Sequence, residues 1–174
     1  WQAAALAHLA REEGPPGPVR VEEVVDAALK AMAPLLARRN IAVEREVAPG
    51  LAPVTGWAGE LGQAVLAVLD NAVRAVGPDQ GRLLVRLAPA ADGRVRLEIA
   101  DNGCGISPDH LPRVFELGFT AWPGGGAGLG LALARQIVLR HRGEIRVAGE
   151  PGHGATVAIE IPAAEEGCHL RADG

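Results

Sequence analysis

The sequence predicts an α+β fold, a two-layer sandwich in which a mixed sheet of about five strands is covered on one face by three helices. Three long segments carry apolar residues at helical spacing, which indicates amphipathic helices. Shorter segments between and after them alternate apolar and polar residues, as half-buried strands do. A chain of 174 residues has the usual size of one domain with its own hydrophobic core.

The helices are predicted from the spacing of apolar residues. In residues 21–39 apolar residues recur every three or four positions and form one face of a helix. Residues 58–76 show the same spacing with a broader apolar face. The third long helix is predicted over residues 129–141, after a glycine-rich loop. A short helix is also predicted near residues 109–117.

The strands are predicted from strict alternation. They cover residues 41–47, 82–87, 94–100, 144–148 and 155–161. The second and third are separated by a short segment that contains Asp92 and Gly93, a pair typical of tight hairpins, so we expect an antiparallel pair there.

The chain divides into four regions. Residues 1–13 are predicted to form a helix, and residues 14–20, rich in Gly and Pro, a hinge. Residues 21–162 form the globular domain. Residues 163–174 are polar and are expected to be a flexible tail.

Composition excludes several classes of function. The formal net charge is -4 and no basic stripe offers a footprint for nucleic acid. Cys104 and Cys168, the two cysteines, cannot form a disulfide framework and lack metal-ligand spacing, which favours a reducing, cytoplasmic setting. No apolar run approaches the ~20 residues that cross a bilayer, so any anchor of a parent protein in the inner membrane would lie outside this chain.

The glycines at 126, 128 and 130 open the third predicted helix. Glycine lets the backbone approach a ligand closely, and the first amides of a helix favour an anion, so this segment predicts a phosphate site. A Walker loop would need Gly-Lys-Ser/Thr, and a dinucleotide fingerprint would lie in the first βαβ turn. A simple flexible loop is the alternative explanation.

Asp101 ends a predicted strand and is followed by Gly103 and Gly105. The glycines free the backbone to turn sharply, which leaves the carboxylate pointing into a pocket. It could there accept a hydrogen bond from an exocyclic amine such as that of adenine. A turn-forming Asp is the alternative.

Asn71 lies inside an otherwise apolar helix, where amides are neutral to unfavourable. Its carboxamide oxygen would suit Mg²⁺, which takes few protein oxygens and keeps waters and phosphates. Arg74 lies on the same face and could pair with phosphate. The alternatives are that Asn71 bonds to a neighbouring loop and that Arg74 belongs to a solvated face.

The order of these segments resembles the catalytic domain of bacterial two-component sensor histidine kinases, in the superfamily that also holds DNA gyrase and the mismatch-repair ATPases. The match covers residues 21–162. The N, G1, F, G2 and G3 boxes of that domain are matched by residues 69–72, 101–105, 115–120, 126–131 and 152–156. The resemblance implies an ATP-binding domain that uses ATP and Mg²⁺ to phosphorylate a histidine on a dimerisation domain, for relay to a response regulator.

The resemblance also implies residue roles. Asn71 would chelate Mg²⁺, Arg74 would approach the phosphates and Asp101 would receive the adenine amine. Gly103 and Gly105 would admit the base, under a mobile lid at residues 121–127. The further nucleotide contacts implied are Ile106, Phe119, Thr120, Gly126, Gly128, Leu129, Gly130, Leu131 and, near the adenine side, Thr156.

Two departures from the family pattern bear on activity. Ala67 stands where many histidine kinases have a second Asn and where hydrolytic gyrase-type relatives have a Glu that activates water, which argues against an ATP-hydrolysing machine. Ala121 and Trp122 replace a frequent basic residue of the lid. A degenerate nucleotide sensor without transfer activity is therefore the alternative function.

The acceptor histidine is expected outside this chain. None of the five histidines is followed by an acid and then Pro, as in the acceptor motif of the family. Residues 1–13 resemble the far end of the dimerisation helix hairpin. No catalytic residue is assigned within the chain, and the partners implied are the dimerisation and phosphoacceptor domain, a response regulator and, for the full-length protein, a second copy in a homodimer.

Overall fold

The computed structural model describes residues 14–77, 81–121 and 126–164. Three helices lie on one face of a five-stranded sheet, which confirms the predicted two-layer α+β sandwich. The helices are α1 (Val21–Arg38), α2 (Ala58–Ala75) and α3 (Gly130–Arg140). The strands are β1 (Gly17–Val19), β2 (Ile41–Val47), β3 (Val54–Gly56), β4 (Gly81–Ala90), β5 (Arg94–Asp101), β6 (Glu144–Gly149) and β7 (Ala155–Pro162).

The main sheet has the strand order β2-β4-β5-β7-β6. β2 pairs with β4 in parallel and all other pairs are antiparallel, so the sheet is mixed, as predicted. The hairpin between β4 and β5 turns at Asp92, which takes a left-handed conformation with φ 57°. This conformation explains the Asp-Gly signal, because Asp tolerates the left-handed region better than most residues.

The core lies between the sheet and the helices. Alternate residues of the central strands face the helices and are buried, including Leu83, Val85 and Ile99. Val68 and Leu69 of α2 pack against them and are 1% exposed. The opposite face of the sheet carries ion pairs between neighbouring strands, such as Arg86 with Glu46 and Arg96 with Glu160.

A second, two-stranded sheet was not predicted. β1 pairs with β3 in antiparallel fashion, and Val19 and Val54 are buried. Part of the predicted hinge at 14–20 therefore belongs to the folded domain. The first two residues of the predicted tail also contact the domain, because Ala163 forms a bridge with Val54 and the Ala164 N–H donates to the Pro53 carbonyl.

The short helix expected near residues 109–117 was wrong in extent and type. One 3-10 turn forms at Leu111–Arg113, closed by the Arg113 N–H bonding the His110 carbonyl at 2.8 Å. Pro112 has no N–H for an α-helical bond, and Gly118, with φ 83°, turns the chain away soon afterwards.

The predicted helix at 1–13 and most of the predicted tail lie outside the described residues. Among the described helices, none is both long and apolar enough to cross a membrane.

Candidate nucleotide site

A cavity of about 420 Å³ opens between α2, α3 and the segment that precedes α3. Most of the residues predicted to contact nucleotide line it. These are Asn71, Arg74, Phe119, Thr120, Gly126, Gly128, Leu129, Gly130 and Leu131. The structure therefore brings the N, F and G2 segments around one space.

The N-terminus of α3 forms one wall of the cavity. The helix begins at Gly130, and Leu129 before it provides no side-chain cap, so the first-turn amides are available to a ligand. Such amides and the helix dipole favour an anion. This geometry supports the predicted phosphate site.

Gly128 has a packing role as well. Its φ is 61°, and a Cβ built there would lie 2.4 Å from the Phe119 carbonyl oxygen. The Gly118 N–H donates to the Gly128 carbonyl at 3.1 Å. The end of the glycine loop is thus fixed against the backbone that carries Phe119.

The polar wall of the cavity comes from α2. Asp70, Asn71 and Arg74 all line the cavity, and Arg74 Nε lies 2.9 Å from Asp70 Oδ2. A Cβ built on Gly126 would lie 3.8 Å from Arg74 Nη1, so the guanidinium reaches the start of the glycine loop. Ala67, one turn earlier, also lines the cavity, and a Cβ built on Gly130 would lie 3.9 Å from its methyl group.

Asp101 lies at the end of β5, outside the residues that line the cavity. Its Oδ1 accepts the Gly103 N–H at 2.8 Å. Burial raises the pKa of the Asp101 carboxyl above its ordinary value of 3.8, although hydrogen bonds from the Gly103 and Ala155 amides act in the opposite direction.

The loop after Asp101 is pressed between two other segments. A Cβ on Gly103 would lie 2.3 Å from the Ala75 carbonyl oxygen, and one on Gly105 would lie 1.8 Å from that of Glu150. Close packing of backbone against backbone therefore requires both glycines. The Cys104 N–H also donates to the Ala75 carbonyl at 3.1 Å, which ties this loop to the end of α2, one turn beyond Asn71.

The strand register gives the position of Thr156, predicted to lie near the adenine side, relative to Asp101. A contact of Thr156 with the base stays a prediction. Ala155, not Thr156, is opposite Asp101, and Thr156 is opposite Ala100. Because side chains alternate between the faces of a strand, Thr156 lies on the other face of the sheet from Asp101. Gly105 and Ile106, like Gly103, lie outside the lining of the cavity.

Further lining residues were not predicted. They are Met32, Gln63, Leu66, Asp70, Val114, Leu117, Ala127, Leu133 and Gln136, besides Ala67. For Gln63 a signal existed, because it lies four residues before Ala67 and eight before Asn71, on the same face of α2. Residues 122–125 of the predicted lid, including Trp122, lie outside the described residues.

Comparison with known proteins agrees with this arrangement. Residues 58–165 match the family of histidine kinase-, DNA gyrase B- and HSP90-like ATPases. The chain belongs to this family. Its matched region runs from the start of α2 to just beyond β7 and so includes the whole cavity apart from Met32 of α1.

The similar proteins are sensor histidine kinases. The chain is 31% identical over 153 residues to the phosphate regulon sensor protein PhoR of Pseudomonas aeruginosa, covering 85% of this chain and 34% of PhoR. It is 35% identical to the histidine-protein kinase/phosphatase MprB of Mycolicibacterium smegmatis, covering 90% of this chain and 33% of that protein. The chain thus spans about a third of these relatives.

Solved structures give the same result. The structure of the mycobacterial sensor histidine kinase MprB is matched with a TM-score of 0.72 and 39% identity, over 85% of this chain and 97% of that one. Full-length ShkA in complex with AMPPNP is matched with a TM-score of 0.79 and 31% identity, over 92% of this chain and 35% of ShkA. The chain is therefore a sensor histidine kinase catalytic domain in fold and family.

Proposed function

We propose that this chain binds Mg-ATP in the cavity and supplies its γ-phosphoryl group to a histidine on a dimerisation segment outside the chain. The observation that carries the proposal is that polar side chains of α2 and the segment that begins α3 line the same cavity. Asn71 and Arg74 on α2 face the cavity that the glycine loop and the N-terminus of α3 also line. A metal-bound polyphosphate needs these groups together: an oxygen ligand, a cation and free backbone amides.

The base would lie toward Asp101. This carboxylate is half-buried at the strand end, and its loop is hydrogen-bonded to the end of α2. One Asp101 oxygen accepts the Gly103 amide, and a carboxylate has capacity for further donors. An adenine amine is a donor of the required kind.

The residues present fit a Mg²⁺ ion. Asn71 and Asp70, adjacent residues that both line the cavity, carry an amide and a carboxylate oxygen. No three His, Cys, Asp or Glu residues in the described part of the chain lie together as a metal site of their own. Asn71 would therefore hold the ion together with phosphate oxygens and waters, and the ion would neutralise charge on the phosphates.

Transfer is favoured over hydrolysis by the side chains at the cavity. Among the described residues that line it, Asp70 is the one carboxylate, and it is paired with Arg74. Ala67 presents only a methyl group. No side chain there is arranged to activate water, so the reaction depends on a nucleophile that another segment holds in line.

A titration of ATP into this chain, with Mg²⁺ and with a chelator, tests the binding step. We expect a measurable affinity that Mg²⁺ increases, because Asn71 contributes to the site only through the metal. Absence of ATP binding in both conditions would overturn the proposal. If ATP binds but no phosphoryl group is transferred to the parent dimerisation segment, the result would instead support the degenerate nucleotide sensor. It would also contradict a relay to a response regulator.

A further inference from the structure

The charged side chains that line the cavity balance each other. Among the described lining residues, Asp70 and Arg74 are the charged ones, and they neutralise each other at 2.9 Å. A polyphosphate that enters therefore meets one positive and one negative side chain. Without a change of partners, α2 would offer the anion no net attraction.

The position of the Arg74 guanidinium indicates that it can exchange Asp70 for a phosphate. Arg74 Nη1 lies 3.8 Å from the position of a Cβ on Gly126, so the group already stands beside the phosphate cradle. Both side chains of the pair are about half exposed, at 46% for Arg74 and 47% for Asp70. Exposed ion pairs are weak, and a phosphate can accept two hydrogen bonds from a guanidinium, as a carboxylate can, while it carries more negative charge.

We propose that Asp70 is the internal counter-ion of Arg74, which phosphate displaces when nucleotide binds. Asp70 thereby lowers the affinity of the site for nucleotide and holds Arg74 in place beside the glycine loop when the site is empty. It is a positioning residue that acts through Arg74. The proposal rests on the proposed function, since it assumes that the anion in the cavity is a nucleotide phosphate.

The counter-ion role makes an unusual prediction, namely that loss of a charged residue at the site tightens binding. In Asp70→Asn the amide cannot form the ion pair, so Arg74 is free for phosphate. We expect ATP to bind roughly two- to fivefold more tightly, the range that an exposed ion pair allows. Asp70→Glu, which keeps a carboxylate that can pair with Arg74, should show a smaller gain than Asp70→Asn.

The experiment measures ATP affinity in a chelator at low ionic strength, so that no metal contact of Asp70 contributes. It compares the unmodified chain, Asp70→Asn, Arg74→Ala and the double variant. If Asp70 acts through Arg74, the gain from Asp70→Asn disappears in the Arg74→Ala background. Asp26→Asn is the matched control, because Asp26 is also ion-paired and exposed, to Arg45 at 2.7 Å, but lies outside the cavity.

Each other outcome contradicts the proposal. An equal gain in both backgrounds would mean that Asp70 merely repels phosphate through space, and weaker binding in Asp70→Asn would mean that Asp70 contacts the ligand. An equal gain in Asp26→Asn would reveal a general effect of net charge. If the unmodified chain binds ATP neither in chelator nor with Mg²⁺, the proposed function fails, which is distinct from all of these results.

Discussion

At the scale of single residues, burial and hydrogen bonding have opposite effects on the pKa of Asp101. Two backbone amides donate to its carboxylate, whereas burial disfavours the charged form and prevails, so that the pKa is raised. A partly buried carboxylate with a raised pKa does not stabilise the end of a strand. A donor from a ligand would relieve the cost of burying the charge, which is consistent with the proposed adenine contact.

The raised pKa predicts how stability depends on pH. Because the folded state favours protonated Asp101, its contribution to the free energy of unfolding is lost as pH rises from below 3.8 through the raised pKa. The stability of the unmodified chain relative to Asp101→Asn should decrease over that window and then level off. Urea denaturation of both proteins across acidic and neutral pH measures this difference, and a constant or increasing difference would contradict the shift.

Asp101→Asn should also weaken ATP and ADP binding alike, because both contain adenine. The expected loss is about 1.5–3 kcal/mol, the usual contribution of a hydrogen bond to a charged group. Calorimetric titration with both nucleotides provides the test. Unchanged affinities would remove Asp101 from the adenine site.

Asn71→Ala should weaken nucleotide binding only when Mg²⁺ is present. The carboxamide is proposed to act through the metal, so a chelator should erase the difference between the variant and the unmodified chain. Affinities measured in both conditions decide the matter. A deficit of the same size with and without Mg²⁺ would show that Asn71 contacts the nucleotide or supports the fold instead.

At the scale of elements, α3 connects the candidate site with a buried polar cluster. Its N-terminus lines the cavity, and at its C-terminal end His141 is 4% exposed. The backbone N–H of Trp57 donates to His141 Nε2 at 3.1 Å, and His141 Nδ1 lies 2.8 Å from the Ile137 carbonyl oxygen. Because Nε2 accepts a hydrogen bond, the ring carries its proton on Nδ1. Arg140 stacks 4.2 Å above Trp57 and pairs with the buried Glu60.

This cluster explains a glycine in β3 and yields a matched pair of variants. A Cβ on Gly56 would lie 2.1 Å from His141 Cδ2, and the ring cannot shift because both nitrogens are bonded. Gly56→Ala should cost roughly 1–3 kcal/mol of stability. Gly62→Ala, inside α2 with nothing within 4 Å of the added carbon, should stabilise by about 0.5–1 kcal/mol.

Thermal denaturation of both glycine variants tests this account. A loss at Gly62 as large as the loss at Gly56 would show that the His141 ring is not the obstacle. Since Gly62 does not line the cavity, ATP affinity should stay the same in Gly62→Ala.

The elements themselves could be predicted where periodicity was long. Apolar positions in α1 and α2 repeat over five turns, so their bounds agree with the prediction to within a residue or two. β1 and β3 have three residues each, too few for alternation to be visible, and β1 contains Pro18. They form because they pair with each other, and pairing between distant segments leaves no local signal.

At the scale of the whole molecule, the site depends on contacts between distant segments that the sequence indicates only in part. Motif order predicts that Asn71 and the glycine loop lie together, and both line the cavity. The face of the sheet on which Thr156 lies relative to Asp101 could not be inferred from the sequence, because a shift of one residue in register moves a side chain to the other face. Met32 joins the cavity through helix packing alone.

The most direct test of the central claim is phosphorylation with radiolabelled ATP. This chain alone should neither label itself nor hydrolyse ATP quickly, because no histidine lies in an acceptor motif and Ala67 cannot activate water. With the dimerisation segment of its parent kinase added, that segment should become labelled, and a segment whose acceptor histidine is changed to glutamine should not. Label on the isolated chain, or an unlabelled intact segment despite measured ATP binding, would contradict the account.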